Sequence, residues 1–248
     1  MRQDNCGANT ARNYGITSAL GKYIKFLDAD DLLVEGSLLK QFSASEKSAE
    51  RVIGYGCHIA RFEEEDIEIK KSPHLLRYDC IEKLILSNIL TSLPLYPRSV
   101  LHEVFGFNEK LKARQEWDLN LRIVALGYEF AHDGVLVYKQ RHHGAPQRIS
   151  NRKLNLEEEL GLLMCVYESL PSPKKKSVND AWAANMWSIG RQLVYQKKVD
   201  SAKQIFAKAK EFSKIGFLKH LGFKYRCARL IFGNTIPDQI FAKIRRKG

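Results

Sequence analysis

The apolar positions run first in short alternating stretches and later at helical spacing. Residues 9–20, "NTARNYGITSAL", carry a helix pattern that Gly21 stops. "KYIKFLDAD", residues 22–30, reads as a strand of aromatic and β-branched residues that runs into acids. A helix over 34–50 follows, with apolar Leu38, Leu39 and Phe42. Residues 51–62 and 67–71 alternate like paired strands around the acidic turn "EEED". Residues 80–90 read as helical, and 91–104, with two prolines, as an edge strand entering a helix. An amphipathic helix over 116–127 ends at Gly127, and "YEFAHDGVLVYKQR" reads as a final strand pair. Strands alternating with helices predict an α/β layer architecture through about residue 150.

Beyond Pro146 the pattern is helical. Residues 152–170 form one helix, "PSPKKKS" a basic linker, and 178–232 keep helix periodicity. The predicted domains are therefore 1–150 and 151–248. Gly190, Ala202, Phe206 and Ala209 fall at the spacing of a tetratricopeptide-like hairpin, where small residues let two helices cross closely.

Charge divides the chain in the same place. Residues 171–248 hold 18 Lys and Arg against 4 acids, a balance of +14 within a net +12. Such asymmetry suggests an anionic partner. "FSKIGFLKHLGFKYRCARLIF" mixes apolar and basic residues as a helix lying on a membrane surface does, so peripheral contact with an anionic inner leaflet is expected. The alternative is a solvated helical face. Tail aromatics interleave with Lys as in single-strand binders, but no recognised nucleic-acid motif accompanies them. No apolar run reaches 18 residues, and five cysteines without CxxC spacing read as reduced thiols of a cytosolic protein.

The chemistry concentrates at Asp28, Asp30 and Asp31. Two carboxylates about 4 Å apart repel by roughly 4 kcal/mol at an effective dielectric near 20. On a strand, Asp28 and Asp30 would share one face and suit a divalent cation held by hard oxygens. A turn or helix cap is the plainer reading, Asp31 before "LLVEGSLLKQ" above all.

The flanks carry a resemblance. "DNCGANTARNYGITSALGKYIKFLDADDLL" is similar to the family 2 glycosyltransferases, with their "ARNxGI" and "GxYIxFLDxDD" motifs. The resemblance implies a GT-A-like, Rossmann-like mixed sheet followed by a helical C-terminal region. It implies Mn²⁺ or Mg²⁺ at Asp28 and Asp30, with Asp28 toward a nucleotide-sugar donor. Arg12 then sits near the diphosphate, braces the acidic loop, or makes only a surface salt bridge. Asp31 supports the site from behind or caps the next helix.

"EVFGFNEKLKARQEWDLNLRI" resembles the acceptor-side segment of the same family, and Glu116 takes the place of its catalytic base. Asp118 lies two residues on, and Trp117 walls the acceptor site or fills the core. At a helix start these acids also suit the dipole. "VYKQRHHGAPQRIS" resembles the family segment in which a His, here His142 or His143, reaches metal or diphosphate. The implied reaction is metal-dependent, inverting transfer to a saccharide or lipid-linked acceptor in cell-surface polysaccharide or glycolipid synthesis.

The pattern departs at Asn108 and Asn120. The strand–helix–strand unit that precedes the motif in the family does not precede Met1, so the sheet is expected to lack its first strands. Such a chain is expected to bind nucleotide sugar weakly or not at all. The alternative to an enzyme is a non-catalytic remnant that binds protein or membrane through its helical basic tail.

Overall fold

The computed structural model describes residues 4, 6–62, 67–71, 76–142 and 154–220. It divides into two compact units, residues 1–154 with 162–170, and residues 155–161 with 171–248.

The first unit opens with α1 (Ala8–Ser18) and β1 (Tyr23–Ile24). β2 (Leu32–Leu33), α2 (Ser37–Lys47), β3 (Val52–Phe62), β4 (Ile67–Lys71) and β5 (Arg77–Tyr78) follow. Then come α3 (Ile81–Ile85), β6 (Tyr96–Pro97), α4 (Arg98–Glu103), α5 (Gln115–Ala125) and β7 (Glu129–His142). β7 is the spine of a mixed sheet. It pairs in parallel with β3 and antiparallel with β2 and β5, while β3 pairs antiparallel with β4. β1 and β6 form a separate antiparallel pair. Pro97 ends that short strand and α4 begins at once, as expected of an edge strand entering a helix.

Three expectations are corrected. The predicted strand over 22–30 keeps only Tyr23–Ile24 in a ladder. Asp28 and Asp31 then close a turn, with the Asp31 N–H donating to the Asp28 carbonyl at 3.0 Å. The acids therefore do not lie on a strand, and period-two alternation does not place them on one face.

The predicted strand pair over 128–141 is one strand. "HDGV" carries the Asp-Gly signal of a hairpin, but here it makes a bulge. Tyr55 pairs with His132 while Cys57 pairs with Leu136, so β7 gains two residues on β3. Gly134 supplies the positive φ of 77°. Asp133 Oδ1 accepts the Val135 N–H at 2.9 Å. The bulge presses on β3, where a Cβ at Gly56 would stand 2.2 Å from the Val135 carbonyl oxygen.

The helix over 34–50 is present, but its inward face is polar. Ser37 and Gln41 are buried, whereas Leu38, Leu39 and Phe42 are exposed. Gln41 is drawn in by a buried network. Lys25 Nζ donates to Gln41 Oε1 at 2.7 Å and to the Leu93 and Pro94 carbonyls. Gln41 Nε2 donates to Asp133 Oδ2 at 2.8 Å and to the Leu93 carbonyl at 3.0 Å. The outward leucines, with Tyr23 and Leu95, line an open apolar groove of about 740 Å³.

In the second unit α7 (Lys176–Tyr195) and α8 (Val199–Phe212) form a helical hairpin, followed by a 3-10 turn at Gly216–His220. α6 (Leu156–Ser169) precedes them in the chain, its residues from Leu162 on belonging to the first unit, and Asn155 and Glu158 close a reciprocal capping box at its start. The small-residue spacing has a direct cause. A Cβ at Gly190 would meet the Phe206 ring at 2.4 Å. Trp187 stacks between Phe206 and Phe217, with centroids 4.2 and 4.7 Å away. The expected surface-lying helix over 212–232 is thus corrected at its start: helix ends at Phe212 and Phe217 is fully buried. Its remainder lies outside the described residues. Among those residues no helix is long and apolar enough to cross a membrane.

Two outcomes test this account. Gly190→Ala gains helix propensity of about 1 kcal/mol, yet overpacking against Phe206 should leave a net loss of about 1–3 kcal/mol by urea denaturation. Burial brings the Lys25 ammonium down from 10.5 to about 7, with Asp133 pulling it back up. The unfolded chain then holds a proton that the folded chain has released, so stability contributed here rises from about pH 7 toward 10.5. Lys25→Met should remove that slope when melting is followed against pH.

Candidate active site

The acidic turn is held from two sides. From α1, Arg12 donates through Nη2 to Asp28 Oδ1 at 3.2 Å and through Nη1 to Gln115 Oε1 at 2.9 Å. Its guanidinium also lies 5.3 Å from the centre of the Phe107 ring. Asp28 is 53% exposed in its side chain, so water screens this pair and its stabilisation is small. From β7, the Arg141 N–H donates to Asp31 Oδ1 at 3.1 Å, and Arg141 Nε donates to the Asp30 carbonyl. Asp31 is 7% exposed. It does not cap α2, whose N-cap is Gly36 and carries no side-chain bond.

The second wall is the N-terminus of α5. Arg114 precedes it in the left-handed region, φ 56°, with its guanidinium 5.4 Å from the Trp117 ring centre. Such strain persists where surroundings over-determine it, and it clusters at functional sites. Glu116 is half-buried in the first turn, and Asn88 Nδ2 donates to its Oε1 at 2.7 Å. Arg12 thus joins the turn bearing Asp28 to Gln115, the neighbour of Glu116. Electrostatics agree. Burial pushes the Tyr138 phenol up, and the charges of Asp31, Asp28 and Glu116 push it further. Tyr96 is raised by burial first and then by Glu116. One buried phenol therefore senses both acidic elements.

Trp117 and Asp118 are placed elsewhere than the substrate-contact reading has them. Trp117 is 2% exposed and gives its indole N–H to the Leu84 carbonyl at 2.8 Å. Asp118 is fully buried, paired with Arg122 at 2.7 Å and accepting from Ser169 Oγ at 3.1 Å. Arg122 also donates to the Gly106 and Val104 carbonyls. Both residues are used to hold α5, and neither presents a polar atom outward. Asn120, one of the departures, accepts from Tyr96 OH at 2.8 Å and donates to the Ile89 carbonyl at 2.9 Å. The side chain of His142, and all of His143, lie outside the described residues.

Asn88, Tyr138 and Arg141 were not singled out by sequence. Asn88 sits past a short helix with no motif around it. Tyr138 and Arg141 lie in "VYKQRHH", where attention falls on the histidines.

The donor set suits a hard cation. Mg²⁺ is commonly held by one or two carboxylates with substrate phosphates and water completing the octahedron. Asp28 and Asp30 supply such oxygens. Among the described residues no group of three His, Cys, Asp or Glu is arranged to hold an ion alone.

A mixed sheet flanked by helices, with acids on the turn after β1, defines a GT-A-like fold. Residues 1–105 match the model of glycosyl transferase family 2. S. aureus TarS 1-349, solved in complex with UDP-GlcNAc, has the same fold: TM-score 0.62 at 14% identity, over 98% of this chain and 74% of that one. The uncharacterized glycosyltransferase MJ1057 of Methanocaldococcus jannaschii is 29% identical over 127 residues, 51% of this chain and 44% of that protein. The minor teichoic acid biosynthesis protein GgaB of Bacillus subtilis is 53% identical over 36 residues, 14% of this chain and 4% of that protein. The chain spans less than half the length of these curated relatives.

Removing one partner of a buried ion pair costs about 3–5 kcal/mol. Arg122→Met should therefore lower stability by about that amount in urea melts, and Asp118→Asn added to it should recover a large part.

Proposed function

We propose that this chain acts in metal-dependent, inverting transfer of a sugar from a nucleotide-diphosphate sugar to a saccharide or lipid-linked acceptor. The observation that carries the reading is the Arg12 bridge, which sets the acidic turn beside the base-bearing end of α5. The UDP-GlcNAc in complex with the structural neighbour TarS makes a uridine diphosphate sugar the first donor to test.

In this reading Asp28 and Asp30 would hold Mn²⁺ or Mg²⁺ together with the donor diphosphate, and such an ion would supply positive charge at the leaving group. Arg12 adds a cation on the same side, and its guanidinium suits phosphate oxygens. Asp31 keeps the turn in place through the Arg141 N–H. Asn88 occupies Oε1 of Glu116, so Oε2 is the proton acceptor. Glu116 takes the proton of the acceptor hydroxyl as its oxygen bonds to the anomeric carbon. The bond from that carbon to the diphosphate breaks on the opposite face, the diphosphate leaves with the electron pair, and configuration inverts.

Because no three-ligand cluster stands ready among the described residues, the ion is expected to bind with the diphosphate and not before it. Calorimetry should show Mn²⁺ uptake only when UDP or a UDP-sugar is present, lost in Asp30→Asn. Glu116→Gln should keep that uptake and lower turnover by 10²-fold or more, the usual scale of general base catalysis. Turnover equal to the parent in Glu116→Gln would overturn the assignment of the base.

A further inference from the structure

The second unit holds a basic cavity that the transfer reading does not use. It has a volume of about 730 Å³ and is bounded by the start of α7, the segment after α8 and the 3-10 turn. Four lysines line it: Lys174, Lys176, Lys214 and Lys219. The one acid among its lining residues is Asp180.

Asp180 is 4% exposed and forms the floor. Burial pushes its carboxyl up, but Ser213, Lys219 and Lys176 outweigh burial and bring it below its ordinary value. Ser213 Oγ donates to Oδ1 at 2.7 Å and Lys219 Nζ to Oδ2 at 3.1 Å. The chain closes over this floor so tightly that a Cβ at Gly216 would stand 2.1 Å from Asp180 Oδ1. The carboxylate is thus consumed in fixing Lys219 and the 213–216 segment.

The lining charge is then four cations against one anion. A solvated helical face spreads its lysines along one element, and each points separately into water. Here they come from three stretches of chain and converge on one concavity. Like charges converging in this way repel unless a counter-anion sits between them. The N-terminal end of the 20-residue helix α7 adds to the same sign.

We propose that this cavity binds a soluble phosphate-bearing anion of two or more charges, such as a pyrophosphate or phosphomonoester group. A single monovalent anion would leave the excess charge unbalanced, and the volume far exceeds one phosphate. Lys176 and Lys214, both exposed, contact the ligand, while Asp180 and Lys219 fix the floor. The site shares no residue with the acidic turn or Glu116.

Inorganic tripolyphosphate in EDTA, followed by calorimetry on the whole chain, provides the test; EDTA removes binding through a metal in the first unit. Saturable binding is expected, weakening as salt rises. Lys176→Gln with Lys214→Gln should weaken it at least tenfold. Lys203→Gln with Lys208→Gln, two α8 lysines outside the cavity, should leave it unchanged. Lys214→Gln alone should give a smaller loss in the same direction and covers the case in which the double variant melts early. Absence of saturable binding, or equal loss in both lysine pairs, overturns the proposal. So does binding confined to phosphatidylserine-containing vesicles, which assigns the charge to a membrane surface. Turnover is not read, so failure of the transferase reading leaves this result interpretable.

Discussion

The crowding of Asp28, Asp30 and Asp31 within four residues is the constraint around which the site is arranged. Carboxylates this close in sequence cost several kcal/mol where water is partly excluded, unless cations or N–H dipoles face them. The fold brings such groups from far away in the chain. Arg12 reaches Asp28 from α1, and the Arg141 backbone N–H reaches Asp31 from the end of β7. Because Arg12 also bonds Gln115, the element that relieves the acids is the one that ties them to α5. One arginine thus faces Asp28 and links the acidic turn to α5.

The turn itself was legible as chemistry and misread as geometry. Its acids and their flanks stand out in one dimension, so the resemblance to family 2 glycosyltransferases could be read from "ARNYGI" and "GKYIKFLDADD". Their placement on a strand did not follow, because β1 leaves its ladder after Ile24 to send Lys25 beneath α2. Periodicity reports burial against a sheet and cannot register a buried polar network. The same network reverses α2, pulling Gln41 inward and leaving Leu38, Leu39 and Phe42 outside. An amphipathic pattern was present, but the polar stripe had the stronger demand on burial, since an unsatisfied amide costs about 1–3 kcal/mol.

β7 shows a second limit of local reading. Asp-Gly between apolar runs is a sound hairpin signal when two strands of similar length must pair with each other. Here each half of the segment already has a partner in β3, and the pairing of Val52–Phe62 runs the full length. The surplus residues are extruded as a bulge, with Asp133 capping Val135 and also anchoring Gln41. Long-range pairing overrode the turn, and the bulge became the acceptor at the base of the polar network. The Gly56 gap opposite it was visible in sequence only as a glycine in a strand, the usual mark of a close backbone approach.

α5 explains why the neighbours of Glu116 are not themselves at the surface of the site. A carboxylate in the role proposed for Glu116 has to be held within a fraction of an ångström, and helices hold side chains better than loops. The residues next to Glu116 are therefore used for anchorage. Trp117 is fastened to the Leu84 carbonyl, Asp118 to Arg122 and Ser169, and Asn120 to Tyr96 and the Ile89 carbonyl. The bonds to Leu84, Ser169, Tyr96 and Ile89, in different parts of the unit, fix the rotation of the helix about its axis. Rotation by one residue, about 100°, would bury Glu116 and expose Trp117, exchanging a solvated acid for an uncompensated buried charge. The sequence "QEWDLNLR" thus carries one half-buried acid and a set of inward anchors, and the polar character of Asp118 and Asn120 reports anchorage within the unit.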